Sequence, residues 1–161
     1  MTVRDLRPDD WAAVRAIYDD GIRSGDATFE TETPSWERWD AGHPELRLVA
    51  ERDGSIAGWA ALSPVSDRCC YGGVGEVSVY VGETERGTGV GRELLERLVE
   101  RSEEAGYWTL SAGVFPENEA SLRLHKACGF REVGVRERLG ELRGVWRDVI
   151  LLERRSRLVG A

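Results

Sequence analysis

Hydrophobic positions along the chain change period several times, and each change predicts an element. Val3 and Leu6 lie in "VRDL", a short extended run before Pro8, so residues 3–6 read as a first strand. Trp11, Val14, Ile17, Tyr18 and Ile22 then recur at three- and four-residue steps. That spacing predicts one face of a helix, with Asp9 or Asp10 as its cap. "SGDATFETETPS" has no period and reads as a polar loop whose one bulky member is Phe29, and a short helix follows at "SWERWDAG".

"LRLVAERDGSIAGWAALSPV" reads as two strands joined at Asp53-Gly54, a dipeptide suited to a tight hairpin turn. After the loop "SDRCCYGG" comes "GVGEVSVYV". Strand alternation there places Glu76, Ser78 and Tyr80 on one face and Val77, Val79 and Val81 on the other. "ELLERLVERSEEAGY" returns to a helical period, with Leu94, Leu95, Leu98, Val99 and Ala105 as its apolar stripe. Glu93 and Arg97 are spaced to pair on its wet side, and Gly106 ends it. "WTLSAGVF" reads as a strand, "NEASLRLHKACGF" as a short helix capped by Asn118 and closed by Gly129. "REVGVRERL" and "VWRDVILLER" are two late strands separated by a glycine-containing loop. The order predicts one mixed α/β domain over residues 1–161, with a partly antiparallel sheet and no repeat or linker.

Composition narrows the function classes. A net charge of −7 over 161 residues argues against nucleic-acid binding by clustered cations, and Lys126 is the only lysine. No segment approaches a membrane span, and "MTVRDLRPDDW" lacks the apolar run of a signal peptide, so a cytoplasmic protein is expected. Cys69, Cys70 and Cys128 have no metal-ligand spacing, and His43 and His125 lie far apart. Free thiols and no metal are the expectation.

"RGTGVGREL" carries the first chemical signal. Gly87, Gly89 and Gly91 are in a G-x-G-x-G spacing that matches neither the dinucleotide fingerprint nor the Walker pattern. The segment lies between a predicted strand and a helix. Glycines there let an anion approach the main chain at the helix's positive end. A plain glycine-rich turn has the same local sequence, so the loop alone leaves phosphate binding and simple chain reversal both open.

Arg86, Gly89 and Gly91 together with Asn118, Ser121, Gly129 and Phe130 resemble the two motifs of the GNAT N-acetyltransferase superfamily: Arg/Gln-x-x-Gly-x-Gly/Ala, then an Asn-x-x-Ser…Gly-Phe helix. The segments "ATFETETPS", "VAERDGSIAGWA", "GEVSVYV", "PENEASLRLHKACGF" and "W-R-D-V" are similar, in order, to the phosphinothricin and methionine sulfoximine acetyltransferase branch. The likeness spans nearly the whole chain.

That resemblance implies a GNAT-type fold and acetyl-CoA as acyl donor. Its pyrophosphate would rest on Arg86, Gly87, Thr88, Gly89, Val90, Gly91 and Arg92, and its pantetheine arm along Val79, Tyr80 and Val81, with Asn118 and Ser121 nearby. The acceptor would be the primary amine of a small amino-acid-like molecule. Glu76 matches the branch's glutamate in "V-E-x-S-V-Y-V" and would be the general base. His125 stands where many members carry a tyrosine and this branch a histidine, a place for an acid near the leaving sulfur. Phe29, Arg68, Tyr80 and Arg143 would line the acceptor. The branch's own basic positions are Gly72, Leu142 and Val145 here, so Arg68 and Arg143 are expected to replace them from a shifted register, which puts phosphinothricin itself in question. A homodimer follows from the resemblance alone. Two other functions fit the same residues: protein N-terminal acetylation, and acyl-CoA sensing without turnover. A nucleotide-binding module is a third reading of the glycine loop.

Overall fold

The computed structural model describes residues 1–161, and its elements follow the predicted order. Strand β1 is Thr2–Asp5, one residue earlier than expected; Leu6 lies past its end, buried, with its N–H bonded to the Arg47 carbonyl. Helices α1 (Trp11–Ser24) and α2 (Trp36–Gly42) precede β2 (Arg47–Arg52), β3 (Ser55–Pro64) and β4 (Val74–Val81). Helix α3 (Val90–Glu104), β5 (Thr109–Val114), α4 (Glu119–Ala127), β6 (Arg131–Leu142) and β7 (Val145–Arg155) complete the chain.

Several local expectations need correction. Neither Asp9 nor Asp10 caps α1, because Pro8–Asp10 form a 3-10 turn that runs into the helix. The Asp10 carboxylate instead takes the Arg7 N–H and both arms of the Arg4 guanidinium, which hold it below the usual carboxylate range. On α3 the Glu93–Arg97 pair does not form; Arg92–Glu96 and Arg97–Glu100 pair instead. Ala105 is exposed, since the helix ends just before it, and Ser102 takes the inward position, its hydroxyl donating to the Val99 carbonyl. The helix also begins at Val90, inside the segment read as loop.

The sheet has seven strands in the order β1-β2-β3-β4-β5-β7-β6. Every pair is antiparallel except β4–β5, which is parallel and short: Val74–Glu76 against Thr109–Ser111. Beyond Glu76 the two strands part. The β3–β4 ladder stays regular from Gly58↔Val81 to Pro64↔Gly75, so the predicted alternation along β4 survives. Val77, Val79 and Val81 join the core under α3, built around Leu94, Leu95, Leu98 and Leu152. Tyr80 faces the other way and packs with α1 and the fully buried Trp39 and Trp59.

That second layer holds Tyr80 from both sides. Its ring stacks on Trp59 at 4.7 Å and on Tyr18 at 5.0 Å. Gly21 lets α1 come this close, because a Cβ there would lie 2.7 Å from the Tyr80 ring. The turn Asp53-Gly54 has both residues at positive φ, 51° and 77°, as its hairpin requires. At Gly58 β3 comes close to the β4 main chain: a Cβ would sit 2.8 Å from the Tyr80 carbonyl oxygen, an atom that cannot swing aside. Gly58→Ala should therefore lower folding stability by about 1–3 kcal/mol, read as a lower urea midpoint at unchanged slope.

Candidate active site

The parting of β4 from β5 opens a cavity of about 380 Å³ between the strands, the loop after α1, and the β6–β7 hairpin. Glu76, Tyr80, Phe29, Ser121, His125 and Arg136 all line it. A second cleft of about 700 Å³ runs past Arg86, Gly87, Gly89, Gly91 and Arg92 at the start of α3, with Arg123 on its far wall. The two share Ala27, Val79, Tyr80, Asn118 and Ser121, so they form one continuous channel. A long ligand seated on the α3 end can reach Glu76.

The glycine loop has a free main chain. None of the six amide N–H groups from Gly87 through Arg92 donates to an acceptor in the chain, and the Glu93 N–H is the first to close the helix, on the Gly89 carbonyl. Gly87 and Gly89 have φ of 76° and 90°, a conformation side chains rarely adopt. Converging N–H groups at a helix start attract an anion. Thr88 lies outside both cavities and donates its hydroxyl to the Glu85 carbonyl, bracing the turn.

Glu76 sits at the point where the strands separate, opposite Ser63 on β3 and Ser111 on β5. It remains open to the cavity, yet protein crowds its other sides, and this partial burial raises its carboxyl above the ordinary value while the charge of Arg136 pulls it back down. A raised carboxylate is a better proton acceptor than a solvated one. Burial also pushes the Tyr80 phenol up, so it stays neutral beside Thr28 and Glu30.

His125 is only 4% exposed, edge-on to Phe130. Its Nδ1 lies 2.7 Å from the Ser121 carbonyl, which requires a donated Nδ1–H and leaves Nε2 as an acceptor. Burial lowers its pKa, so the ring is neutral and Nε2 carries no proton to give. Asn118 caps α4 by accepting the Ser121 N–H and reaches across to donate to the Asp26 carbonyl.

Arg68 and Arg143, the expected acceptor cations, line neither cavity. Arg68 is exposed, with its guanidinium over the Tyr71 ring, and Arg143 occupies the β6–β7 turn at φ 49°. Two arginines that sequence reading passed over stand at the site instead. Arg136 lines the cavity that holds Glu76. Arg147, with its side chain 13% exposed, bonds the Gly25 carbonyl, Asp26 and Glu117, and lies 4.1 Å over the Phe115 ring. Phe115 in turn packs edge-on against Phe29. Together Arg147 and Asn118 strap the 25–30 loop over the cavity. No group of histidine, cysteine and carboxylate side chains is arranged to hold a metal, and no helix is long and apolar enough to cross a membrane.

Comparison with known proteins gives a consistent picture. The profile of the acetyltransferase (GNAT) family matches residues 11–130. The phosphinothricin N-acetyltransferase of Alcaligenes faecalis is 41% identical over 162 residues, covering 95% of this chain and 81% of its own. The crystal structure of the ribosomal-protein-alanine N-acetyltransferase from Brucella melitensis superposes with a TM-score of 0.89 at 32% identity, covering 97% of this chain and 100% of that one. A GNAT superfamily phosphinothricin acetyltransferase from Sinorhizobium meliloti, solved in complex with acetyl-CoA, gives a TM-score of 0.86 at 30% identity, over 96% and 87% of the two chains.

Replacing Arg147 by Met should free the 25–30 loop. Loss of its charge-assisted bonds should speed amide exchange across residues 25–30 by about tenfold to a hundredfold while leaving α3 unchanged. Exchange at the parent rate would show that Asn118 and Phe29 hold the loop unaided.

Proposed function

The chain belongs to the acetyltransferase (GNAT) family, and on that premise we propose that it moves an acetyl group from acetyl-CoA to the primary amine of a small amino-acid-like acceptor, with Glu76 as general base. The observation that carries the reading is the continuous channel: free amides from Gly87 to Arg92 at one end, the Glu76 carboxylate at the other. The A. faecalis relative's name supports the acceptor class, and the S. meliloti complex supports the donor.

The residues present fit that donor. Gly87 to Arg92 offer their N–H groups to a pyrophosphate, with Arg86, Arg92 and Arg123 as cations along the cleft. Past Glu76 the β5 side of β4 has no strand partner, so Val79 to Val81 can hold a pantetheine arm as an added strand. When bound, acetyl-CoA supplies an activated thioester carbonyl beside Glu76.

A free amine is mostly protonated near neutral pH and cannot attack in that form. Glu76 takes the proton from the incoming ammonium, directly or through one water, and frees its lone pair for the carbonyl carbon. His125, neutral with Nε2 as an acceptor, is suited to orienting the acceptor or a water rather than to giving a proton. The nitrogen must shed a second proton before the amide is neutral, and the departing thiolate can take it, directly or through a water, so His125 is not required as an acid at the sulfur.

One observation favours a second reading. The B. melitensis structure is named for acetylating a ribosomal protein's alanine, so a peptide N-terminus is the competing acceptor. A panel of free amino acids, amino acid analogues and short Ala- or Ser-initiated peptides, followed by thiol release, decides between them. Release with small amino acids supports the proposal; release only with peptides moves the enzyme to the second class; tight CoA binding without release assigns a sensor.

Glu76→Gln should lower kcat by about 100- to 10,000-fold while leaving acetyl-CoA affinity within about threefold of the parent. For the parent, kcat/KM should fall on the acid side along a limb lying above the ordinary carboxylate range, because burial raises Glu76 and only the deprotonated form accepts a proton. Activity insensitive to both tests would remove Glu76 from the base role. Gly89→Asp should weaken CoA binding at least about tenfold by isothermal calorimetry, since it adds negative charge and forces a side chain into φ 90°.

A further inference from the structure

The acceptor cavity holds an unusual set of charges. Glu76 and Glu30 are its carboxylates, His125 is neutral, and Arg136 is the one permanent cation among its lining residues. Arginines elsewhere in this chain are mostly spoken for: Arg4, Arg47, Arg52, Arg147 and Arg154 all bond carboxylates. Arg136 makes no ion pair and no side-chain hydrogen bond. It is near enough for its charge to act on Glu76, yet the two do not pair. A guanidinium facing a cavity with all its donors free is a place for an anion.

The fold puts it there by an irregularity. The β6–β7 ladder runs to Arg136↔Val149 and resumes at Gly140↔Arg147, so residues 137–139 face the single residue Asp148. Arg138 takes φ 44° in this bulge and gives its N–H to the Asp148 carboxylate, which fixes the kink. In an unbroken strand, positions 136 and 139 would point to opposite faces. With the bulge, both Arg136 and Leu139 line the cavity. At Gly140 the strand comes so close to Phe29 that a Cβ would lie 2.9 Å from its ring, which closes the wall between them.

We infer that Arg136, delivered by the β6 bulge, is the residue that selects the acceptor: it binds the acceptor's carboxylate while Glu76 and Glu30 receive its ammonium. The inference rests on the acetyl-transfer reading above and names a specificity residue for it. An α-amino acid carries both charges on groups bonded to the same carbon, and the cavity presents one cation and two carboxylates. A simple alkylamine would gain nothing from Arg136 and would meet its repulsion.

The test compares two probes, L-methionine sulfone and methylsulfonylpropylamine, the same amine without its carboxylate, on the parent enzyme, Arg136→Gln and Arg136→Lys. The parent should prefer methionine sulfone. Arg136→Gln should lose about tenfold to a hundredfold in kcat/KM on that probe, mostly through KM, and should hold or gain activity on the carboxylate-free amine, which no longer meets a repelling cation. Arg136→Lys should recover part of the loss, keeping the charge without the fork. Equal losses on both probes would mean that Arg136 serves something other than the acceptor's carboxylate and would overturn the assignment, as would no loss on either. If the parent acetylates neither probe, the acceptor reading fails by itself, and calorimetry with CoA bound still decides the residue. Methionine sulfone should bind the parent at least about tenfold more tightly than Arg136→Gln; equal binding, or none to the parent, would overturn the role. Arg136 is exposed, so an unchanged melting curve serves as the folding control.

Discussion

The whole site depends on three residue pairs. β4 and β5 form the one parallel contact in the sheet, from Val74↔Thr109 to Glu76↔Ser111, and then diverge. Were the pairing to continue, Val77 to Val81 would spend their main-chain groups on β5 and no cavity would exist. Because it stops, the last paired residue of β4 is also the first to face open space, and that residue is Glu76. A strand edge in mid-sheet is ordinarily a liability. Here it lies beside the cleft at the α3 N-terminus, and under the proposed function it would be the surface along which the pantetheine arm pairs.

A gap of this kind needs stiff walls. On one side β4 is held by the unbroken ladder to β3 and by the Trp59–Tyr80–Tyr18 stack, which ties the strand to α1. On the other, β5 is paired along its length with β7, from Thr109↔Arg155 to Val114↔Ile150. The roof is the 25–30 loop, which has no regular structure of its own and takes its place from Arg147 and Asn118. Asn118 thus caps α4, holds the roof and lines both cavities, so its truncation affects all three.

Features that depend on near neighbours in the chain were legible in the sequence. Asp53-Gly54 makes its turn, α1 buries Val14, Ile17, Tyr18 and Ile22 as spaced, and β4 alternates as read. The glycine loop was placed between strand and helix because its signal is contained in a few residues. What escaped depends on long-range packing. Glu93 and Arg97 are correctly spaced, but Arg97 turns to Glu100 and the i,i+4 pair that forms is Arg92–Glu96. Arg68 and Arg143 flank shifted motif positions, but one lies in an exposed loop and the other at the β6–β7 turn, and neither lines a cavity. Arg136 was hidden by the bulge: counting by twos along β6 cannot place residues on either side of two inserted ones. Arg147 stands in the matched W-R-D-V segment, but nothing local shows what it does, since its partners lie about thirty and more than a hundred and twenty residues away. A clue was present in the run "RERLG", where three charged residues interrupt what would otherwise be an alternating edge strand.

The charges of the acceptor cavity bear on one another in a way that joins binding to chemistry. Burial raises Glu76, which favours proton uptake, while Arg136 opposes it. On the assignment of Arg136 to the acceptor's carboxylate, binding offsets that opposing charge at the moment the base is needed. The arriving ammonium acts in the other direction, but it is the proton donor, and its charge leaves the cavity's balance once Glu76 has taken the proton. A carboxylate-free amine brings only the second effect: it adds a cation beside Arg136 and leaves the base held down. On that assignment, selection of an amino acid over a plain amine would be expressed in the proton transfer as well as in affinity, because the guanidinium that binds the carboxylate also offsets part of the basicity that burial gives Glu76.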